Sequence, residues 1–175
     1  GAEYVAEPKW SPDGRALVWA QWPHSDMPWD ETAVVVCDVE SGENRIVAGG
    51  ERVVNNWPHW SADGAWLVYM SDRDGQHPNL WRVRPDGSDI KLMITDIKGV
   101  NGIAISPDRR SIYIAGNGKL LAYTISARGK LKQANGRAAA RELATLDPNL
   151  GSPDGMKTAA NGDILLDSGA DGILG

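Results

Sequence analysis

The stretch "NNWPHWSADG" occupies residues 55–64. It places two tryptophans, a proline, a histidine and paired asparagines ahead of an Asp-Gly turn. That composition suits a ligand site and a structural unit equally well, and the rest of the chain favours the second. "WSPDG" at 10–14 matches "WSADG" at 60–64, and "ISPDR" at 105–109 matches both; Asp13, Asp63 and Asp108 lie 50 and 45 residues apart. Each copy carries the same order of elements. An apolar stretch meets the turn, and an alternating run follows ("RALVWAQW", "AWLVYMSD", "RSIYIAG"). After a polar loop comes a third run ("AVVVCDV", "NLWRVR", "LLAYTIS"). A second turn, "ESGEN" or "RPDGSD", then leads to "RIVAG" or "IKLMI". Asp-Gly favours tight hairpins because glycine tolerates positive φ and aspartate bonds back to the turn amides. Short alternating runs bounded by such turns are strands.

Strand-bearing units repeating at about 45 residues are the signature of β-propeller blades. The expected class is therefore all-β: a single domain over residues 1–175 of six-bladed propeller type, represented by about three and a half to four blades. Their boundaries fall near 5–54, 55–99, 100–150 and an incomplete 151–175. The last copy aligns "DGMKTAANGDILLD" with "NGIAISPDRRSIYIA" when its turn is one residue shorter. Its hairpin turn is then "ANGD" at 160–163, and "SPDG" at 152–155 lies upstream of it. The segment "ARGKLKQANGRAAARELATL" exceeds the equivalent turns, so "RAAAREL" reads as a surface helical turn or as an extension of the hairpin. An open arc of blades would expose two strand edges. The expectation is a piece of a longer protein, or a chain that needs a second copy to close. Trp10, Trp60 and Ile105 share the place just before the turn, where an aromatic is expected to pack between blades.

The bulk numbers exclude several classes. With 18 basic and 23 acidic residues the formal charge is −5, which leaves no basic footprint for nucleic acid. No apolar run is long enough for a membrane-spanning helix. The chain begins Gly-Ala with no signal-like segment after it, as a processed or trimmed start does. The single Cys37 excludes an intrachain disulfide and a cysteine-based zinc site; within "AVVVCDV" it is expected to be a buried core thiol. His24, His59 and His77 lack metal-ligand spacing, and no HExxH, GxSxG or phosphate-loop pattern occurs. "SDRDG" at 71–75 reads as a hairpin connection, too short for a calcium loop.

Inner strands of a propeller start near one mouth of the central channel, so equivalent positions converge there. Four residues before Trp60 stands Asn56, and four before Ile105 stands Asn101. The fourth copy puts Asp154 in the same place, and the first puts Ala6 there with Glu7 beside it. Amide and carboxylate oxygens of this kind suit Ca²⁺ or another hard cation. Asn and Asp at strand starts also cap turns, with no ligand involved.

Two family resemblances follow from these residues. "EPKWSPDG", "WPHWSADG" and "SDRDGQHPNLWRVRPDGSD" look like TolB-type propeller repeats, found also in the propellers of prolyl oligopeptidase-like peptidases, over roughly residues 5–95. "VNGIAISPDRRSIYIAGNGKLLAYTIS" and "GSPDGMKTAANGDILLDSG" resemble the gluconolactonase and senescence-marker family over roughly 99–175. The second resemblance implies a six-bladed propeller with a divalent cation, often Ca²⁺, in its channel. It makes Asn101 and Asp154 metal ligands, Asp154 also the base for an attacking water, and Asn56 a substrate contact, with Glu7 one place from the remaining ligand position. Val54 stands where that family carries a sugar-contacting Arg, and Gly116 where it carries Asp. The implied activity is metal-assisted hydrolysis of a lactone or ester. The TolB resemblance implies a non-catalytic scaffold for a protein or peptide partner, or the propeller of a larger peptidase. With the tryptophan-rich turns it points to a periplasmic or secreted setting.

Overall fold

The computed structural model describes residues 3–75, 77–94, 97, 100–126, 128–150, 153–168 and 172–174. Four antiparallel meanders follow one another. The first sheet contains β1 (Glu3–Trp10), β2 (Ala16–Pro23), β3 (Ala33–Asp38) and β4 (Asn44–Ala48); the second contains β5 (Asn55–Trp60), β6 (Leu67–Ser71), β7 (Asn79–Val83) and β8 (Lys91–Ile94). The third contains β9 (Ile103–Ile105), β10 (Ser111–Gly116) and β11 (Lys119–Thr124). Then come a two-stranded hairpin, β12 (Gln133–Ala134) and β13 (Arg137–Ala138), and β14 (Ala140–Thr145), which pairs with β11. The "RAAAREL" segment therefore extends the hairpin. A short 3-10 turn, Pro148–Leu150, precedes β15 (Pro153–Thr158), β16 (Ile164–Ser168) and β17 (Gly172–Leu174). The sheets pack face to face with β1, β5, β9 and β15 innermost and in sequential contact. This is the radial packing of a β-propeller.

The repeated turn is a small hydrogen-bonded latch. Ser11, Ser61 and Ser106 donate their hydroxyls to Asp13, Asp63 and Asp108 at 2.6, 2.7 and 2.6 Å. Each hydroxyl accepts the N–H five residues on, at Ala16, Trp66 and Ser111 (2.9, 3.0 and 2.9 Å). The fourth turn substitutes Asn161, whose carbonyl accepts the Asp163 N–H at 3.1 Å. Glycine supplies the positive φ of the turn at Gly14, Gly64 and Gly162; in the third copy Arg109 takes φ 57° instead.

The core lies in the seams between sheets. In β6 both faces are buried. Leu67 and Tyr69 join Val18, Val34, Val36, Trp60 and Val83 in one cluster, and Val68 and Met70 join Ile103, Ile112, Ile114 and Tyr123 in another. The third seam is smaller: Ala104, Ala115, Met156 and Leu166. Asn55, the first of the paired asparagines, is fully buried. It binds the Thr32 carbonyl through Nδ2 at 2.7 Å and accepts from Ser71 at 2.8 Å, which ties the first sheet to the second. Cys37 departs from its expected burial. Val34 and Val36 turn into the seam, so Cys37 falls on the other face at the strand end and is half-buried.

Trp60 packs between blades as expected, 4% exposed, and its Nε1 donates to the Lys9 carbonyl at 3.1 Å. Trp10, at the same repeat position, is 54% exposed. Removing Trp60 leaves a void in a seam, whereas removing Trp10 leaves none. Trp60→Ala is expected to cost about 3–5 kcal/mol, and Trp10→Ala less than about 0.5 kcal/mol, measured by equilibrium urea unfolding.

Candidate functional site

Each inner strand is interrupted where it approaches the axis. In β1 the pairing jumps from Ala6↔Ala20 to Lys9↔Val18, which sets Glu7 and Pro8 against Trp19. In β5 it jumps from Asn56↔Met70 to His59↔Val68, which sets Trp57 and Pro58 against Tyr69. Ahead of β9, Asn101 donates to the Ala115 carbonyl and the Ala115 N–H returns to Gly102, both at 3.2 Å. In β15 the jump from Pro153↔Ser168 to Met156↔Leu166 sets Asp154 and Gly155 against Asp167. These are β-bulges, which bend a strand and re-aim its side chains. Glu7 and Trp57 hold φ of 60° and 53° there, a region that costs a residue with a side chain roughly 1–2 kcal/mol.

Counting from the turns places Ala6 and Asn56 beside Asn101 and Asp154. Counting from the bulges places Glu7 and Trp57 there, because the first two copies carry the interruption one residue nearer the turn. All four inner strands open on one cavity of about 500 Å³, whose walls include Glu7, Asn56, Trp57, Asn101 and Gly155. Trp22, Trp29, Met70 and Val100 supply apolar surface, and Asp72 and Asp167 add carboxylates. The side chain of Asp154 lies outside the described set; its backbone stands at the bulge beside Gly155. Asn56 donates to the Pro28 carbonyl at 3.2 Å and so anchors the loop that carries Trp29. Asp72 accepts the Val54 N–H at 2.8 Å.

Glu7 is held by two ammonium groups. Lys9 lies 3.0 Å from Oε2, and Lys157, from the fourth sheet, bonds Oε1. Burial alone would raise its carboxyl, but the two lysines hold it below the ordinary carboxylate value. Burial lowers Lys9 to about 8 against the opposing pull of Glu7. Among the described residues no three His, Cys, Asp or Glu side chains gather as a metal cluster.

Sequence reasoning missed Lys9 and Lys157. The signal was present in the repeat: Lys9, His59, Ala104 and Lys157 each occupy the place immediately before Trp10, Trp60, Ile105 and Thr158. His59 is buried, with Nε2 3.3 Å from the Ile103 carbonyl. Burial, reinforced by Lys9, Lys157 and Arg109, keeps its imidazole well below the usual histidine value. The unfolded chain takes up a proton near the ordinary value of about 6.5 while the folded chain does not. Stability is therefore lost as pH falls through that value, by up to about 1.4 kcal/mol per pH unit. His59→Gln is expected to remove this contribution, read as the difference between urea midpoints of the two proteins from neutral to mildly acidic pH.

Three kinds of relative bear on this site. An uncharacterized protein of Agrobacterium fabrum, Atu1656, is 39% identical over 88 residues, which is 50% of this chain and 27% of that protein. The chain spans less than a third of the length of the curated relatives it matches. TolB of Acinetobacter baumannii superposes with a TM-score of 0.66 at 17% identity, over 97% of this chain and 39% of that one. The calcium-binding protein regucalcin of Agrobacterium tumefaciens superposes with a TM-score of 0.60 at 15% identity, over 94% and 67%. At those identities the two superpositions establish the propeller fold. The family model for the SMP-30/gluconolactonase/LRE-like region matches residues 31–166, well over half of the chain, and the chain belongs to that family.

Proposed function

We propose that this chain supplies the channel mouth of a divalent-metal-dependent hydrolase of the lactonase kind, acting on a lactone or ester. The observation that carries the reading is the convergence of four inner-strand interruptions on one cavity walled by Glu7, Trp57, Asn101 and Gly155. The donors there are amide and carboxylate oxygens, which fit a hard cation such as Ca²⁺. Asn101 and Asp154 would hold it, with Glu7 as the further carboxylate at the same mouth. When bound, the cation supplies Lewis-acid polarisation of the substrate carbonyl. Asp154 takes the proton of the attacking water. Asn56 orients the substrate from the neighbouring strand, and Trp22, Trp29 and Trp57 give the cavity an apolar wall that displaces water.

A second reading, a TolB-like scaffold for a protein or peptide partner, is favoured by the loop at the same mouth. Trp29 and Met27 are 67% and 47% exposed there, and exposed aromatic and methionine side chains are enriched at interfaces. Further blades, or a second copy, complete the channel in both readings.

Thermal unfolding with EDTA, Ca²⁺, Mg²⁺, Mn²⁺ or Zn²⁺, together with lactone and ester turnover, separates the two. Ca²⁺ at a hundredfold excess over its dissociation constant is expected to stabilise the chain by about 2.7 kcal/mol. Asp154→Ala is expected to abolish both that shift and cation-dependent turnover. A chain that unfolds cooperatively with neither a shift nor turnover contradicts the hydrolase and leaves the scaffold.

A further inference from the structure

At the other end of the inner strands lies a second cavity of about 500 Å³, formed around the residues that lead into the turns. Lys9, His59, Arg109 and Lys157 line it with Trp10 and Trp60, and none of its described lining residues is a carboxylate. Among the described residues the only acid bonded to these cations is Glu7, which Lys9 and Lys157 share. With Glu7 paired to both lysines, two ammonium groups and a guanidinium face one carboxylate, an excess of two positive charges, and burial opposes any charge on His59.

Arg109 adds an independent observation. Its Nη1 is buried with no hydrogen-bond partner among the described residues, while its Nη2 reaches the Trp10 carbonyl at 3.4 Å. A guanidinium N–H buried without an acceptor is costly to maintain. Arg109 also stands where the first two turns have Gly14 and Gly64, and keeps their positive φ. Backbone strain retained by a charged residue next to a cavity is a pointer to function.

We propose that this cavity binds a doubly charged oxyanion, the phosphate of a small phosphorylated ligand. The guanidinium and the two ammonium groups are the donors that phosphate recognition uses, and two negative charges balance the excess where a single carboxylate would not. The volume exceeds that of a phosphate ion and leaves room for an organic part against Trp10 and Trp60.

Isothermal titration calorimetry of the whole chain with inorganic phosphate and with glycerol phosphate tests this, at neutral pH and constant ionic strength, with sodium acetate as the comparison. Binding stronger than that of acetate is expected. Arg109→Gln and Lys157→Gln should each weaken it at least tenfold, while Lys132→Gln, on the exposed hairpin, should leave it unchanged. The Lys157 side chain is 57% exposed, so its variant is expected to fold. Inorganic phosphate alone as ligand identifies the free ion as the source; glycerol phosphate binding as well or better identifies a phosphorylated molecule. Heats no larger than those of acetate, or variants that bind like the parent chain, overturn the proposal.

Discussion

The inner strands of a radial assembly run along one channel, and at its mouth each has to turn side chains off its sheet to present them there. Here a bulge in each inner strand meets that constraint, and the site depends on it. Two residues face one across the bulge, so the strand bends and a side chain that would lie against the sheet is turned toward the channel. Glu7 and Trp57 take positive φ to achieve this. The third and fourth copies have Gly102 and Gly155 next to the axial position, beside Asn101 and Asp154. What reaches the mouth is set by where each bulge falls as much as by which residue the repeat supplies.

Seam packing holds those bulges in a fixed relation. Leu67 and Tyr69 bind the second sheet to the first, and Val68 and Met70 bind it to the third. Burial of such side chains contributes roughly 25 cal/mol for each Å² removed from water. Polar ties then fix the rotation of one sheet against the next. Trp60 donates to the Lys9 carbonyl, and Thr158 donates to the Ile105 carbonyl at 2.6 Å. The same repeat position donates at two different seams, to carbonyls one residue apart in the repeat: Lys9 stands just before the Trp10 position, and Ile105 occupies it. Ile105 has no donor at that place, and there His59, one residue earlier in the second repeat, meets the Ile103 carbonyl instead.

The fold was legible because its signals are local and repeated. The Ser-x-Asp turn, the alternating run after it and the spacing of Asp13, Asp63 and Asp108 all depend on neighbours in the chain. The cavity walls were legible only to within one residue. Asn56 and Asn101 both line it, but alignment from the turns cannot register a bulge, so Ala6 was matched where Glu7 stands. The lysines were not found because their meaning is tertiary. Lys9 and Lys157 are far apart in sequence and meet only on the Glu7 carboxylate, once the first and fourth sheets approach each other across the axis. Cys37 was misjudged for a related reason: an apolar run was read as uniformly buried, although its end lies beyond the seam.

The two ends of the channel thus differ in chemistry, oxygen-rich and aromatic at one, cationic at the other, and both rest on convergence of the inner strands. A nitroxide attached at Asn56→Cys in a Cys37→Ser background measures that convergence directly, through paramagnetic broadening of amide resonances. The account predicts strong broadening at Glu7, Asn101 and Gly155, each on a different sheet, with Val47 and Glu142 on outer strands spared. Broadening confined to the second sheet, with Glu7 and Gly155 unaffected, would contradict it.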